Sequence, residues 1–226
     1  AQQQPGVPAT LPCIAFPLAP KTSYDTWDAV VQRTKPLSGR VQRQGEDIAI
    51  LMYTSGSTGT PKGVMHNFER ATAVGEGINA KLKAEYGDDL EVRMLSYLPL
   101  AHIFERAHVE ITTLIDGRAH LFFAESLDTF VADLNRARPT IFLSVPRLWL
   151  KFQQGVFAKM PPKKLDRLMG IPILGSLVRK KILKGLGLDQ VLLAGSGSAP
   201  IPPELIAWYR RLGLNLMEGY AMTEDL

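Results

Sequence analysis

Short apolar runs of strand length alternate with stretches of helical period over most of this chain. The runs at 48–53, 93–98, 119–123, 140–145, 191–194 and 214–218 predict strands. Apolar positions spaced three or four residues apart predict helices at 67–84, 101–116, 127–138, 146–159 and 202–212. This alternation predicts an α/β fold, a largely parallel sheet with helices on both faces, whose ligands lie beyond the carboxyl ends of the strands.

The helix predicted at 101–116 carries a regular apolar stripe and is expected to end at Gly117. The residues expected to face the core are Ile103, Phe104, Ala107, Ile111, Leu114 and Ile115.

The first 47 residues follow a different pattern and are interpreted as a separate, extended entry segment before an α/β portion at 48–226. Five prolines among the first twenty residues remove backbone donors and favour extended chain. A short helix is predicted at 24–32, capped by Thr22 or Ser23, with Trp27 as a core residue.

The composition is that of an ordinary globular protein, with 46% apolar and 21% charged residues. Cys13 is the one cysteine, so an internal disulfide is excluded, and no closely spaced cluster of Cys and His offers a structural zinc site. The chain has neither a signal-peptide pattern nor an apolar run that could span a bilayer. A soluble, cytoplasmic protein is therefore expected, with peripheral contact at the inner face of the membrane left open.

The net charge of +4 is concentrated in one stretch, residues 159–188. Eight basic residues against Asp166 give that stretch +7 and leave −3 for the remainder. It contains no aromatic residue, which argues against nucleic-acid binding. Its interleaved apolar residues would suit an anionic membrane surface, and a solvated basic helix pair covering the sheet is the alternative.

The strongest chemical signal is the loop after the first predicted strand, residues 53–64. Glycines let the backbone approach a ligand, successive amides can form an anion-binding nest, and a lysine supplies positive charge, so the loop suits a polyphosphate. It departs from the Walker A pattern because Gly63 follows Lys62, and a flexible polar turn is the alternative. The candidate phosphate-binding residues are Thr54, Ser55, Gly56, Ser57, Thr58, Gly59 and Lys62.

Two further segments, 195–200 and 219–224, come at the ends of predicted strands. Small side chains in the first leave a flat surface for a planar base, and a strand-to-helix turn is the alternative. In the second segment, the ring of Tyr220 can stack on a base, the hydroxyl of Thr223 can reach a phosphate, and the carboxylate of Glu224 can hold Mg²⁺. A simply solvated carboxylate is the alternative for Glu224. The candidates are Ser196, Gly197, Ser198, Ala199, Pro200, Gly219, Tyr220, Ala221, Met222, Thr223 and Glu224.

Five motifs in this order, 53–64, 97–106, 144–147, 195–200 and 219–224, resemble those of the adenylate-forming (AMP-binding) superfamily. Among its branches the chain is most similar to bacterial long-chain fatty acyl-CoA synthetases, from about Ile48 onward. The resemblance implies that a fatty acid carboxylate attacks the α-phosphorus of ATP and expels pyrophosphate. The acyl adenylate would then pass to the thiol of coenzyme A.

The resemblance also implies roles for single residues. Thr54 to Lys62 would hold the β and γ phosphates, Ser196 to Pro200 and Tyr220 the adenine, and Thr223 the α-phosphate. Glu224, with Thr54, would position Mg²⁺. His102 would line the carboxylate end of the acyl pocket, with a purely structural histidine as the alternative. The catalytic candidates are thus His102, Lys62 and Glu224, with Arg147 as a pocket neighbour and no role for the other histidines.

Two departures from the family pattern matter. Ala221 stands where the family more often has glycine, which would cost of order 1 kcal/mol if that position needs a positive φ. The family extends to a smaller carboxyl-terminal domain with a catalytic lysine, so this chain resembles an internal fragment of the large domain and is expected to be inactive alone. Three hypotheses stay open: a CoA ligase, a ligase that delivers to a carrier protein, and a binding module without turnover.

Overall fold

A computed structural model describes residues 8, 10–17, 19–56 and 59–225. The chain forms two compact units, divided between Arg43 and Gln44. In the first unit β1 (Ile14–Ala15) pairs in parallel with β2 (Asp25–Thr26), which leads into α1 (Trp27–Arg33).

The helix α1 begins later than predicted. Thr26 caps it by accepting a hydrogen bond from the Ala29 amide at 3.3 Å, because residues 25–26 are extended in the strand pair. The core prediction for Trp27 is wrong, since its side chain is 44% exposed and stacks on Phe16 with ring centroids 5.3 Å apart.

The second unit opens with an antiparallel hairpin of β3 (Ile48–Thr54) and β4 (Lys62–Asn67). The sequence pattern predicted β3 but not β4. Asn67 ends β4 and caps the long helix α2 (Phe68–Tyr86), its side chain accepting from the Arg70 amide at 2.9 Å. The predicted helix at 67–84 is confirmed.

Five short strands follow, all paired in parallel: β5 (Arg93–Ser96) with β6 (His120–Phe123), and β7 (Ile141–Ser144) with β8 (Leu193–Ser196) and β9 (Leu216–Glu218). Thr140 joins the two groups, because its amide donates to the Arg93 carbonyl at 3.0 Å and its hydroxyl accepts from the Arg93 amide at 2.9 Å. The predicted parallel sheet is confirmed.

Alternate residues of these strands enter two separate cores, as strand geometry requires. Leu95, Phe142 and Ala194 join the larger core with the helices α5 (Phe130–Ala137), α6 (Pro146–Lys159) and α9 (Pro203–Leu212). Met94 and Ile141 join a smaller core with α2. Helices therefore cover both faces of the sheet, as predicted.

The predicted helix at 101–116 is interrupted by a π-turn. It consists of α3 (Ile103–Glu105), a π-helix (Arg106–Ile111) and α4 (Thr112–Asp116), and Gly117 ends it with φ of 66°. The extra residue of a π-turn rotates everything after it by about 100°. Thr112 is therefore buried and Leu114 is 74% exposed, so the predicted inward placement of Leu114 is wrong. Ile115 is 39% exposed, but its side chain still packs beside Gly75 of α2.

The basic stretch folds as two helices, α7 (Pro162–Met169) and α8 (Leu174–Gly185). Among the described residues, no helix is both long enough and apolar enough to cross a membrane.

Candidate active site

A cavity of about 380 Å³ lies in the second unit. Apolar residues of α2 and of the α3–π-helix segment line one side, together with His102 and His108. Gly197, Ser198 and the segment from Gly219 to Thr223 line the other side. The structure thus brings one predicted acid-pocket residue and parts of both predicted base-binding segments to a single cavity.

The first of those segments turns sharply after β8. Gly195 and Ser196 are the last residues of the strand, and the Gly197 amide donates to the Ser144 carbonyl at 3.1 Å. A Cβ atom on Gly197 would lie 3.0 Å from a ring carbon of Phe104, so the glycine lets the turn pack closely on that ring. Ser198 adopts φ of 68°, and the Ser196 hydroxyl is buried with no hydrogen-bond partner among the described residues. Strained backbone of this kind clusters at functional sites.

The second segment, 219–224, is attached to the first. The Gly219 amide donates to the Ser196 carbonyl at 2.9 Å, and a turn follows in which the Asp225 amide donates to the Met222 carbonyl at 3.2 Å. Tyr220 is 88% exposed, which leaves its ring open for stacking. The φ of Ala221 is not positive. The departure from glycine therefore introduces no backbone strain at this position.

The phosphate loop sits on the β3–β4 hairpin, with Thr54 opposite Lys62 across the strand pair. Gly56 has φ of 62°, and a Cβ atom there would lie 2.5 Å from the Thr60 carbonyl oxygen. Gly59 has φ of 78° with nothing near its Cβ position. Ser57 and Thr58 lie outside the described residues. The described residues of the loop do not line the cavity, and neither does Glu224.

One contact links the hairpin to the 219–224 segment. His66 on β4 is buried, and its Nε2 lies 2.7 Å from the carbonyl oxygen of Thr223. Since a carbonyl can only accept, Nε2 carries the proton in this contact. The sequence pattern predicts no role for His66.

His102 lines the cavity and also caps α3. Its Nδ1 accepts a hydrogen bond from the Phe104 amide at 3.2 Å, so the neutral ring carries its proton on Nε2. His102 therefore makes a structural hydrogen bond through Nδ1, as expected if it were a purely structural histidine. Its Nε2 stays available to a ligand in the cavity.

His108 reaches the same cavity from the π-helix. Burial lowers the pKa of this imidazole, which keeps it neutral near pH 7, and its ring lies 5.0 Å from that of Phe104. Its Nδ1 is buried without a partner among the described residues. The sequence pattern does not predict a role for His108, because an ordinary helix register does not single it out.

Glu105 and Arg106 shape the loop that presents His102. Glu105 is 1% exposed and accepts hydrogen bonds from the Ser96 hydroxyl at 2.5 Å and the Tyr97 amide at 3.2 Å. Burial raises the pKa of this carboxyl, and those hydrogen bonds oppose the rise. Arg106 donates to the Leu100 carbonyl at 2.9 Å. Arg147 is exposed and lies outside the cavity lining.

A family profile described as AMP-binding enzyme matches residues 2–226. The chain belongs to the AMP-binding enzyme family. Among curated relatives of this AMP-binding enzyme, a carboxylic acid reductase from Segniliparus rugosus is 36% identical over 213 residues, which is 88% of this chain and 17% of the relative. The peroxisomal long chain acyl-CoA synthetase 7 of Arabidopsis thaliana is 35% identical over 200 residues, 79% of this chain and 27% of that protein.

Solved structures of the family share the fold of this AMP-binding enzyme. The A domain of the Segniliparus rugosus carboxylic acid reductase, in complex with AMP and a co-purified carboxylic acid, matches with a TM-score of 0.67 and 29% identity. That match covers 88% of this chain and 32% of the solved chain. The adenylation domain of a Mycobacterium chelonae carboxylate reductase also has a TM-score of 0.67, at 28% identity. The expected adenylation-domain fold is confirmed, and the chain spans about a third of the length of these two structures.

Proposed function

We propose that this AMP-binding enzyme activates a long-chain fatty acid with ATP to acyl-AMP and then transfers the acyl group to coenzyme A. The observation that carries the proposal is the cavity, in which an apolar wall from α2 and the π-helix faces the two glycine-containing turns. An adenylating enzyme must hold an apolar acid against the α-phosphate of a nucleotide, and this arrangement provides for both. The acyl-CoA synthetase relatives support the substrate class.

The apolar wall suits an aliphatic chain. Val74 and Ile78 of α2 line the cavity together with Ile103, Phe104 and Ala107, and none of these side chains carries a hydrogen-bonding group. His102 stands beside them with its Nε2–H unused, which suits a carboxylate that must be oriented but not protonated. We assign His102 to the carboxylate end of the acid.

Both reactants of the first step are anions, so the protein must neutralise charge while it aligns them. Lys62 is exposed at the mouth of the hairpin, forms no ion pair with a described residue, and can place its charge on the β and γ phosphates. Gly56 adopts a positive φ, as glycines do in backbone turns that bind anions. Ser196 to Pro200, with the exposed ring of Tyr220, would hold the base, and Thr223 the α-phosphate.

Mg²⁺ would be held by the Thr54 hydroxyl and the exposed Glu224 carboxylate. The donors fit this ion, because Mg²⁺ is commonly bound by one or two protein oxygens together with substrate phosphates. When bound, the ion would screen phosphate charge; alignment of the acid would remain the work of His102 and the apolar wall.

The similarity to a carboxylic acid reductase favours a second candidate, in which the same adenylation precedes transfer to a carrier protein. The two candidates share the first step and differ only in the acceptor.

The test is a product assay on the full-length protein with fatty acids, ATP and either coenzyme A or a carrier protein. We expect pyrophosphate release and an acyl-CoA thioester, with Lys62→Ala lowering kcat/KM for ATP by about a hundredfold. Lys81→Ala, which removes an exposed lysine of α2, should change it by less than about twofold. Thioester on the carrier alone would select the second candidate, and ATP binding without pyrophosphate release would reduce the protein to a binding module.

A further inference from the structure

The turn between α7 and α8 presents apolar side chains to solvent. Ile173 at its tip is 82% exposed, and Leu177 in the first turns of α8 is 60% exposed. Ile173 also has φ of 66°, a left-handed conformation that β-branched residues rarely adopt. A large apolar side chain held outward in a strained conformation is not explained by packing within the described residues, and exposed apolar surface of this kind is typical of a contact surface.

The backbone holds this turn in place. The Leu174 amide donates to the Pro172 carbonyl at 2.7 Å, and the Gly175 amide donates to the Ile171 carbonyl at 2.8 Å. A Cβ atom on Gly175 would lie 2.3 Å from the Met169 carbonyl oxygen, so the start of α8 packs directly on the end of α7. The exposure of Ile173 is therefore built into the backbone of the turn.

The exposed face of α8 changes character along its length. Leu174, Leu177, Lys181 and Lys184 are spaced by three, four and three residues, which places them on one face of the helix. The opposite face packs against the larger core through Val178, Ile182 and Leu183. The exposed stripe is thus apolar at its beginning and cationic at its end, over about 15 Å of helix.

The cations that remain available are Lys180, Lys181 and Lys184. All three are exposed, and none forms an ion pair within the described part of the chain. Arg179 differs from them, because its Nη1 donates to the Met169 carbonyl at 3.3 Å and its side chain is half-buried. The structure assigns Arg179 to the α7–α8 junction.

We propose that the α7–α8 turn and the exposed face of α8 form a docking surface for an anionic lipid bilayer. Ile173, Leu174 and Leu177 would enter the boundary between headgroups and acyl chains, a depth of about 5–10 Å for such helices. Lys180, Lys181 and Lys184 would lie among the headgroups, where each lysine strengthens binding by about fivefold. The apolar tip complements the acyl-chain boundary of an anionic bilayer, and the unpaired lysines beside it complement the headgroups.

Co-sedimentation with vesicles tests the proposal independently of catalysis. Phosphatidylcholine vesicles that contain phosphatidylglycerol should bind the protein, and phosphatidylcholine alone should bind it far less. The triple variant Lys180→Gln, Lys181→Gln, Lys184→Gln should weaken binding by about a hundredfold. The control triple Lys35→Gln, Lys81→Gln, Lys151→Gln removes the same charge from exposed positions elsewhere and should have only a few-fold effect.

Ile173→Gly separates membrane contact from folding. Glycine relieves the positive φ, so thermal stability should stay equal or rise, while vesicle binding should fall by about tenfold. Leu127→Gly removes an apolar side chain that is 92% exposed in another turn and should leave vesicle binding unchanged. Equal binding to both kinds of vesicle, or unaltered binding by Ile173→Gly, would overturn the proposal. So would a dimer in sedimentation velocity that Ile173→Gly dissociates without any vesicle binding, because the face would then bind a second copy of the chain.

Discussion

The two parts of the candidate nucleotide site, the turn after β8 and the phosphate loop, differ in how they are packed against the rest of the protein. The turn after β8 lies over the larger core, where Trp149 and Tyr209 are fully buried with ring centroids 4.9 Å apart. The phosphate loop extends from a hairpin in which only Met52 and His66 are buried and the other residues are exposed or partly buried, with Tyr53 at 68% and Met65 at 63%. One part is supported by packing, and the other by strand pairing and a few contacts.

This difference separates stability from binding. Trp149 donates from its Nε1 to the Gly195 carbonyl at 3.3 Å, so the same side chain fills the core and fixes the strand that carries the base-binding turn. The hairpin has little buried surface to lose, and changes in it should alter ligand affinity before they alter the free energy of unfolding. Substitutions in the core should therefore lower the free energy of unfolding, whereas substitutions in the hairpin should first lower ligand affinity.

The largest expected effect is on stability, for Trp149→Ala. Removing a fully buried indole leaves a cavity and should lower the free energy of unfolding by about 3–5 kcal/mol. Tyr53→Ala on the hairpin is the matched aromatic truncation and should cost less than about 1 kcal/mol, since most of that ring is exposed. Urea unfolding followed by circular dichroism measures both. Equal losses would show that the hairpin is as tightly packed as the core, and the contrast would fail.

The sequence predicted the elements whose local signals agree with their packing. The helix α6 begins and ends where its pattern indicated, because Pro146 suits a first helical position and the apolar spacing persists to Lys159. Strand β4 was missed because Lys62–Asn67 has only two apolar residues and lies next to a polar loop. The π-turn at Arg106–Ile111 was missed as well, since an inserted residue leaves no mark on a 3.6-residue pattern.

The candidate site divides in the same way. The turns at 195–200 and 219–224 could be recognised because short glycine-containing segments follow apolar strands, and the structure joins them at one cavity. The contact from His66 to Thr223 could not, because it connects residues 157 positions apart. The place of His108 in the cavity depends on the π-turn, which the pattern did not contain.

A smaller effect, on binding, is expected for Gly56→Ala in the phosphate loop. Alanine there would meet both a positive φ and the Thr60 carbonyl 2.5 Å away, so the loop must rearrange, and we expect ATP affinity to fall by about thirtyfold, or about 2 kcal/mol. Gly59→Ala has the positive φ without the close contact and should cost only a few-fold. Calorimetric titration with ATP and Mg²⁺ measures both affinities. An equal loss in the two variants would mean that φ alone, and not the approach to Thr60, shapes the loop.

The smallest effect concerns the link between the two regions, His66→Leu. Leucine fills the buried space but leaves the Thr223 carbonyl without its donor, which should weaken ATP binding by about fivefold, or about 1 kcal/mol. His66→Gln keeps an amide donor on a side chain of similar reach and should stay within about twofold of the unsubstituted protein. The same titration compares them, with urea unfolding to confirm that both variants are folded. If glutamine weakened binding as much as leucine, the hydrogen bond would not be what aligns 219–224 with the hairpin. If both variants bound ATP normally, the phosphate loop and the base-binding turns would be positioned independently of each other. The two regions would then differ in how they contribute to ATP binding as well as in how they are packed.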